Sequence, residues 1–239
     1  MLTRRQLPAF LLAAAPALAQ TYPSQDYAWA KEVVGASHVD LARVKAVVEL
    51  HPAAANAAID WGFGDWETAL GAASHVGRRE IAEYLLEKGA RLDIFAATML
   101  GMTDVVKAMV AARPGVESIL GPHGIPLLAH ARAADTRAYL LTLPGAAKGI
   151  PTQPLDDERR KSFTGKFRLD NGLNAEVKLS SPKQLSFVVE KSGSRFIHYT
   201  GNDTFYPAGV PSVRFEFSLE AKTLRIVDGP LIVTAKRLE

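Results

Sequence analysis

Residues 65–93 read D-W-E-T-A-L-G-A-A-S-H-V-G-R-R-E-I-A-E-Y-L-L-E-K-G-A-R-L-D, and their reading decides the fold of half the chain. Thr68-Ala69-Leu70 opens a helix that runs on through Ala73, and Gly77 turns the chain. Ile81, Tyr84, Leu85 and Leu86 then share one face of a second helix, closed by Gly89-Ala90. Apolar residues at that spacing give a helix one face to bury. A hairpin of two such helices cannot bury that face alone, so stacked neighbours are expected.

Related units lie on both sides. Ala36-Ser37-His38-Val39 recurs as Ala73-Ser74-His75-Val76, 37 positions later, and an amphipathic helix follows each copy. In the first copy Leu41, Val44, Val47 and Val48 form the apolar face and His51-Pro52 ends the helix; Tyr27 to Gly35 supplies the helix before it. A third unit runs from Ile94 through Gly101 to Val110. Only 24 residues separate Gly77 from Gly101, so its connecting hairpin is expected to be deleted. A fourth opens at Gly124-Ile125-Pro126-Leu127-Leu128 and carries Ala138, Tyr139, Leu140 and Leu141.

With Thr68-Ala69-Leu70 where the ankyrin family has T-P-L, these residues resemble about four ankyrin repeats over residues 27–145, strongest at Asp60–Asp93. The resemblance is closest to bacterial exported ankyrin proteins carrying the run D-W-G-F-G-D-W-E-T-A-L-G-A-A-S-H, here residues 60–75. It implies an α-solenoid with a free concave groove, and binding rather than catalysis.

Residues 1–19 read as an export signal: Arg4-Arg5, a short apolar core from Leu7 to Ala17, and the small-residue cleavage pattern Ala17-Leu18-Ala19. Thr3-Arg4-Arg5-Gln6-Leu7 resembles a twin-arginine signal, and the general secretory route is the other reading; either implies a periplasmic or secreted protein. The net charge of +3 includes Arg4 and Arg5, leaving +1 without them. Neither half has the concentrated positive face that nucleic acid requires. There are no cysteines, which excludes disulfides, thiol nucleophiles and thiolate metal sites.

The expected organisation is multi-domain α plus β: signal 1–19, ankyrin-repeat domain 20–148, linker 149–161, antiparallel β-domain 162–239. The linker holds Gly149, Pro151, Pro154 and the charge run Asp156 to Lys161. Beyond it the period becomes two. Val213, Phe215, Phe217 and Leu219 alternate with Arg214, Glu216 and Ser218, and shorter runs occur at 165–169, 175–180, 185–190, 195–200, 223–227 and 231–236. Seven or eight short strands separated by turn residues predict a small antiparallel barrel or sandwich. Gly165-Lys166-Phe167-Arg168 and Thr234-Ala235-Lys236-Arg237 resemble a small β-domain appended to exported hydrolases of the penicillin-recognising type, without catalytic residues.

The residues expected to meet a partner are His38, His75 and Met99 along the groove, with Trp61 and Phe63 on a projecting glycine-flexed finger. The partner class is a protein or peptide. Helices stack about 8–10 Å apart, which predicts that His38 and His75 cannot share an ion needing bonds of roughly 2.0–2.1 Å. No metal and no cofactor is expected. His123 reads as a turn tip, His130 as a satisfied buried histidine, His51 as a helix stop, and His198 as a strand residue without catalytic company. Asp60, Asp65 and Glu67 read as solvated finger carboxylates. No nucleophile elbow, H-E-x-x-H or phosphate loop is present, so a non-enzymatic interaction module is expected. The alternative is an apolar ligand held by the β-barrel. An enzyme would require a cleft between the domains where histidines or carboxylates converge.

Overall fold

A computed structural model describes residues 26–190 and 192–238; the expected signal at 1–19 lies outside the described residues. The first region consists of α1 (Tyr27–Ala36), α2 (Leu41–Leu50), the hairpin β1 (Ala58–Asp60) and β2 (Trp66–Thr68), α3 (Ala69–Val76), α4 (Arg79–Glu87), α5 (Ile94–Leu100), α6 (Thr103–Ala112), α7 (Leu127–His130) and α8 (Ala134–Leu141). Asp26, Asp40, Thr68 and Asp93 each accept a backbone N–H from the first turn of the helix that follows. Such caps satisfy donors that the helix itself leaves free. Gly77 ends α3 at φ 79°, a left-handed stop that suits glycine. α3 is built of small residues, Ala69 through Ser74 all buried, and lies against α1, α4, α5 and α7.

The expected ankyrin-repeat α-solenoid is not what forms. The pairs are unequal: α5 follows its Asp93 cap directly, the turn before α7 carries only the isolated bridge Leu120–Pro126, and α7 is a single turn of four residues. The apolar interior divides in two, one cluster spanning α1 to α4 with Met99 and Leu100, the other joining Ile94, Phe95 and Ala97 to Val106, Leu127 and Leu140. The side expected to stay open is faced by Ser194, Arg195, Phe196 and His198 of the C-terminal strands, which share a cavity with His38 and His75.

Those strands follow α9 (Asp157–Ser162) and form a closed antiparallel barrel, as the period-two pattern predicts. They are β3 (Gly165–Leu169), β4 (Asn174–Ser181), β5 (Gln184–Val189), β6 (Ser194–Gly201), β7 (Thr204–Pro207), β8 (Arg214–Ser218), β9 (Thr223–Asp228) and β10 (Leu231–Arg237). Each pairs with the next, and β10 closes on β3 with Ala235 opposite Leu169. Phe163, Phe167, Phe187, Phe205, Phe215 and Phe217 fill the interior with ring centroids 4.9–6.2 Å apart. The barrel of the alternative reading is therefore present, but its centre is packed core.

The two regions meet through the turn at residues 60–66. Phe63 packs on the barrel core, its ring 5.7 Å from that of Phe215. This corrects the expected projecting finger: Phe63 is an anchor into the barrel, because its ring finds more apolar surface there than in solvent. Met99 is corrected too. It is 1% exposed inside the first apolar cluster and offers a partner no surface.

Candidate metal centre

Four side chains from four segments converge where the helical region faces the barrel: His38, Glu67, His75 and His123. Each offers one ligand atom, and these atoms all lie within 4.8 Å of one another. His75 lies in the last turn of α3, and His38 follows the corresponding end of α1. Their rings are 5.0 Å apart, centroid to centroid. The expected separation of about one helix spacing overlooked that both side chains sit at helix ends and lean toward each other. His123 adds a third ring, 5.3 Å from His75.

Glu67 lies at the middle of the cluster for a simple reason. β2 alternates, so Trp66 and Thr68 face out while Glu67 faces in. It is 1% exposed, which corrects the expected solvated finger carboxylate. Trp61 Nε1 donates to Glu67 Oε2 at 2.6 Å, so Trp61 holds the carboxylate in place. Glu67 Oε1 and His75 Nε2 are buried 3.1 Å apart, and neither atom has a hydrogen-bond partner. His123 Nε2 is 3.5 Å from Oε1, and His38 Nε2 is 3.5 Å from Oε2.

The outer nitrogens determine what the inner ones can do. His38 Nδ1 faces the carbonyls of Val34 and Gly35 at 3.1 and 3.2 Å and must donate there. His123 Nδ1 lies 2.6 Å from Asp65 Oδ2, and the His123 backbone N–H donates to Asp65 Oδ1 at 2.9 Å. With Nδ1 as the donor, a neutral ring turns an Nε2 lone pair toward Glu67. Lone pairs facing a carboxylate require a positive charge between them, either protons or a metal ion. Carboxylate–histidine pairs of the Asp65–His123 type orient metal-ligating rings.

Distances fit an ion. Donors bonded at 2.0–2.1 Å to a common centre lie about 2.9–3.4 Å apart, close to the 3.1 and 3.5 Å from Glu67 Oε1 to His75 and His123. His38 lies 3.5 Å from the other oxygen, and the four ligand atoms, within 4.8 Å of one another, would draw in on an ion. Protons can also supply charge. Burial alone would lower His123, but the hydrogen bonds and charges of Asp65 and Glu67 raise it to about 9. Burial likewise would raise Glu67, and the contacts of His123, His75 and Trp61 bring it down to about 2. Asp65 is held below its ordinary value, burial being outweighed by His123 and Arg195.

The barrel completes the centre. Arg195 of β6 is 8% exposed and donates from Nη2 to Asp65 Oδ2 and to the Ala208 carbonyl. Gly209 passes so close that a Cβ there would stand 2.5 Å from Asp65 Oδ1 and 3.0 Å from His123 Cα. His123 itself adopts φ 60°, ψ 14°, a left-handed conformation uncommon for a residue with a side chain and often found at functional sites.

A cavity of about 480 Å³ opens beside the cluster. His38, His75, His123 and Trp61 form one wall, and Ile125, Phe196, His198 and Ala208 form much of the other. A second cavity, about 430 Å³ beside α9, holds polar groups already paired, such as Arg160 with Asp157 and the Leu155 carbonyl. Of the residues expected to meet a partner, His38, His75 and Trp61 come together here; Phe63 and Met99 do not. Glu67, His123, Asp65 and Arg195 were not expected. The inward alternation of Glu67 and the G-P-H-G turn at 121–124 were the available signals. No family model, no curated protein and no solved structure matches the chain.

Proposed function

We propose that this protein binds one divalent transition-metal ion through Nε2 of His38, His75 and His123 and Oε1 of Glu67, and presents it to a small molecule in the adjoining cavity. One observation carries the reading: a fully buried carboxylate oxygen, Glu67 Oε1, without a hydrogen bond, faces Nε2 of His75 and of His123, and the outer nitrogens of His123 and of neighbouring His38 are already held. Three imidazoles and one carboxylate without thiolates suit zinc, iron, cobalt, nickel or copper better than calcium or magnesium. The three histidines also line the cavity, and Glu67 does not. With four protein ligands, the exchangeable position toward the cavity is a fifth one, reached by expansion of the coordination shell as in reactive zinc sites. Such an ion polarises an oxygen donor of a bound molecule as a Lewis acid.

The test is metal content and affinity. The purified full chain, stripped and then titrated with Zn²⁺ or Co²⁺ against a chromogenic chelator, is expected to take up one ion per chain. Glu67→Gln and His75→Ala are expected to abolish tight uptake while leaving the fold intact by circular dichroism. Sub-stoichiometric uptake in the parent protein, or equal uptake in both variants, would remove the proposal.

A further inference from the structure

We infer that the cavity accepts a small monoanionic oxygen donor with a compact apolar body, an aryl- or alkyl-carboxylate, whose oxygen takes the exchangeable position on the metal. This rests on the metal reading above. Charge is the first argument. A divalent ion with Glu67, Asp65 and Arg195 sums to +1 (2 − 1 − 1 + 1), in a setting where Asp65 and Glu67 are 5% and 1% exposed. One negative charge neutralises that centre. Burying a charge without a partner is costly, so a cationic ligand is disfavoured. A dianion would leave one charge over, and the only arginine or lysine lining the cavity, Arg195, is already committed to Asp65 and the Ala208 carbonyl.

The walls supply the second argument. Opposite the histidines stand Ile125, Ala208 and the ring of Phe196, which is 51% exposed although large and apolar. Phe196 faces out of the barrel because β6 alternates, its neighbours Arg195 and Ile197 being buried. With Trp61 opposite, the cavity combines an apolar lining and a small convergent polar cluster, the usual composition of a small-molecule site. Its 480 Å³ is near the lower end for such sites. Apart from the metal centre and Arg195, the lining offers a polar body such as a sugar only Ser194 and His198, and leaves its other hydroxyls facing Ile125, Ala208 and Phe196.

The experiment uses the full chain loaded with Co²⁺, whose visible absorption responds to a change of ligand. Phenylacetate is titrated in parallel with acetate, phenethylamine and inorganic phosphate. Phenylacetate is expected to perturb the spectrum and to bind at least about ten-fold more tightly than acetate, the worth of a buried ring. Phe196→Ala is expected to weaken phenylacetate about five-fold and to leave acetate unchanged. Phe196 is half exposed, so the variant retains the fold. A normal Co²⁺ spectrum with acetate and phenylacetate binding alike, or with phosphate or phenethylamine preferred, would overturn this inference and leave the metal reading standing. Absence of a Co²⁺ spectrum would overturn both.

Discussion

Arg195 on barrel strand β6 and Asp65 beside hairpin strand β2 form a buried ion pair, 130 residues apart in sequence. The same Asp65 oxygen accepts from His123 Nδ1. The barrel thus reaches the metal cluster through one carboxylate. Removing Arg195 alone would leave Asp65 charged, buried and short of a partner, which costs about 3–5 kcal/mol. Urea unfolding of Arg195→Met is expected to show a loss in that range. The double variant Arg195→Met/Asp65→Asn should lose less than the sum of its parts, since the uncompensated charge is gone. Additive losses would mean that the pair is not coupled.

Asp65 also orients a metal ligand. Asp65→Asn keeps the shape of the side chain but weakens its hold on the His123 ring. Loss of such an outer partner typically lowers metal affinity about 10–100-fold. Competition titration of the Asp65→Asn variant is the check, and an unchanged affinity would separate Asp65 from the metal site.

The pH dependence follows from His123. Its folded pKa of about 9 stands above its ordinary value of 6.5. In the metal-free protein its stabilising effect is fully present below pH 6.5 and is lost as pH rises through about 9. Glu67 runs the other way: lowered from 4.5 to about 2, it stabilises above pH 4.5 and fails as pH falls through about 2. A metal must displace the His123 proton, so binding at pH 7 is expected to release close to one proton from this ring. Calorimetry in buffers of different ionisation enthalpy measures that number, which should shrink toward zero above pH 9.

His130 is a separate acid-sensitive point. It is fully buried, its Nδ1 donating to the Pro126 carbonyl at 3.1 Å and its Nε2 without a partner. Burial lowers its pKa to about 4 from 6.5. A depressed histidine contributes stability above pH 6.5 that is lost as pH falls through about 4, worth up to about 3 kcal/mol. His130→Leu should therefore flatten the loss of stability between pH 6.5 and 4, as read by chemical denaturation at each pH. A parallel pH profile in the variant would contradict this role.

Gly209 tests the docking of barrel and cluster. Its φ of 83° disfavours any side chain, and a Cβ would collide with Asp65. Gly209→Ala is expected to destabilise by about 1–3 kcal/mol and to weaken metal binding together with stability. Loss of stability with unaltered metal affinity would show that the loop and the centre are independent.

Much of the barrel was legible. Alternation in V-R-F-E-F-S-L and the turn residues located seven strands to within about two residues, and β3 agrees at both ends. β7 escaped because Phe205, Tyr206 and Pro207 are buried in succession and show no alternation. The helical pairs were legible from apolar spacing and the turn glycines Gly77, Gly89 and Gly101. The ankyrin solenoid inferred from them was not correct, because local periodicity carries no information about which face the barrel covers. His38 and His75 were found through their equivalent positions, but helix-axis spacing is a poor guide to side chains at helix ends. His123 is delivered by a turn and Arg195 by a strand far along the chain, and no local pattern links either to Glu67.

The account turns on one ion held by His38, Glu67, His75 and His123. X-ray absorption spectroscopy of the zinc-loaded protein tests it most directly. The predicted spectrum fits three imidazole nitrogens and one or two oxygens at about 2.0–2.1 Å, falling to two imidazoles in His123→Ala. A shell without imidazole scattering, or one unchanged by His123→Ala, would contradict it.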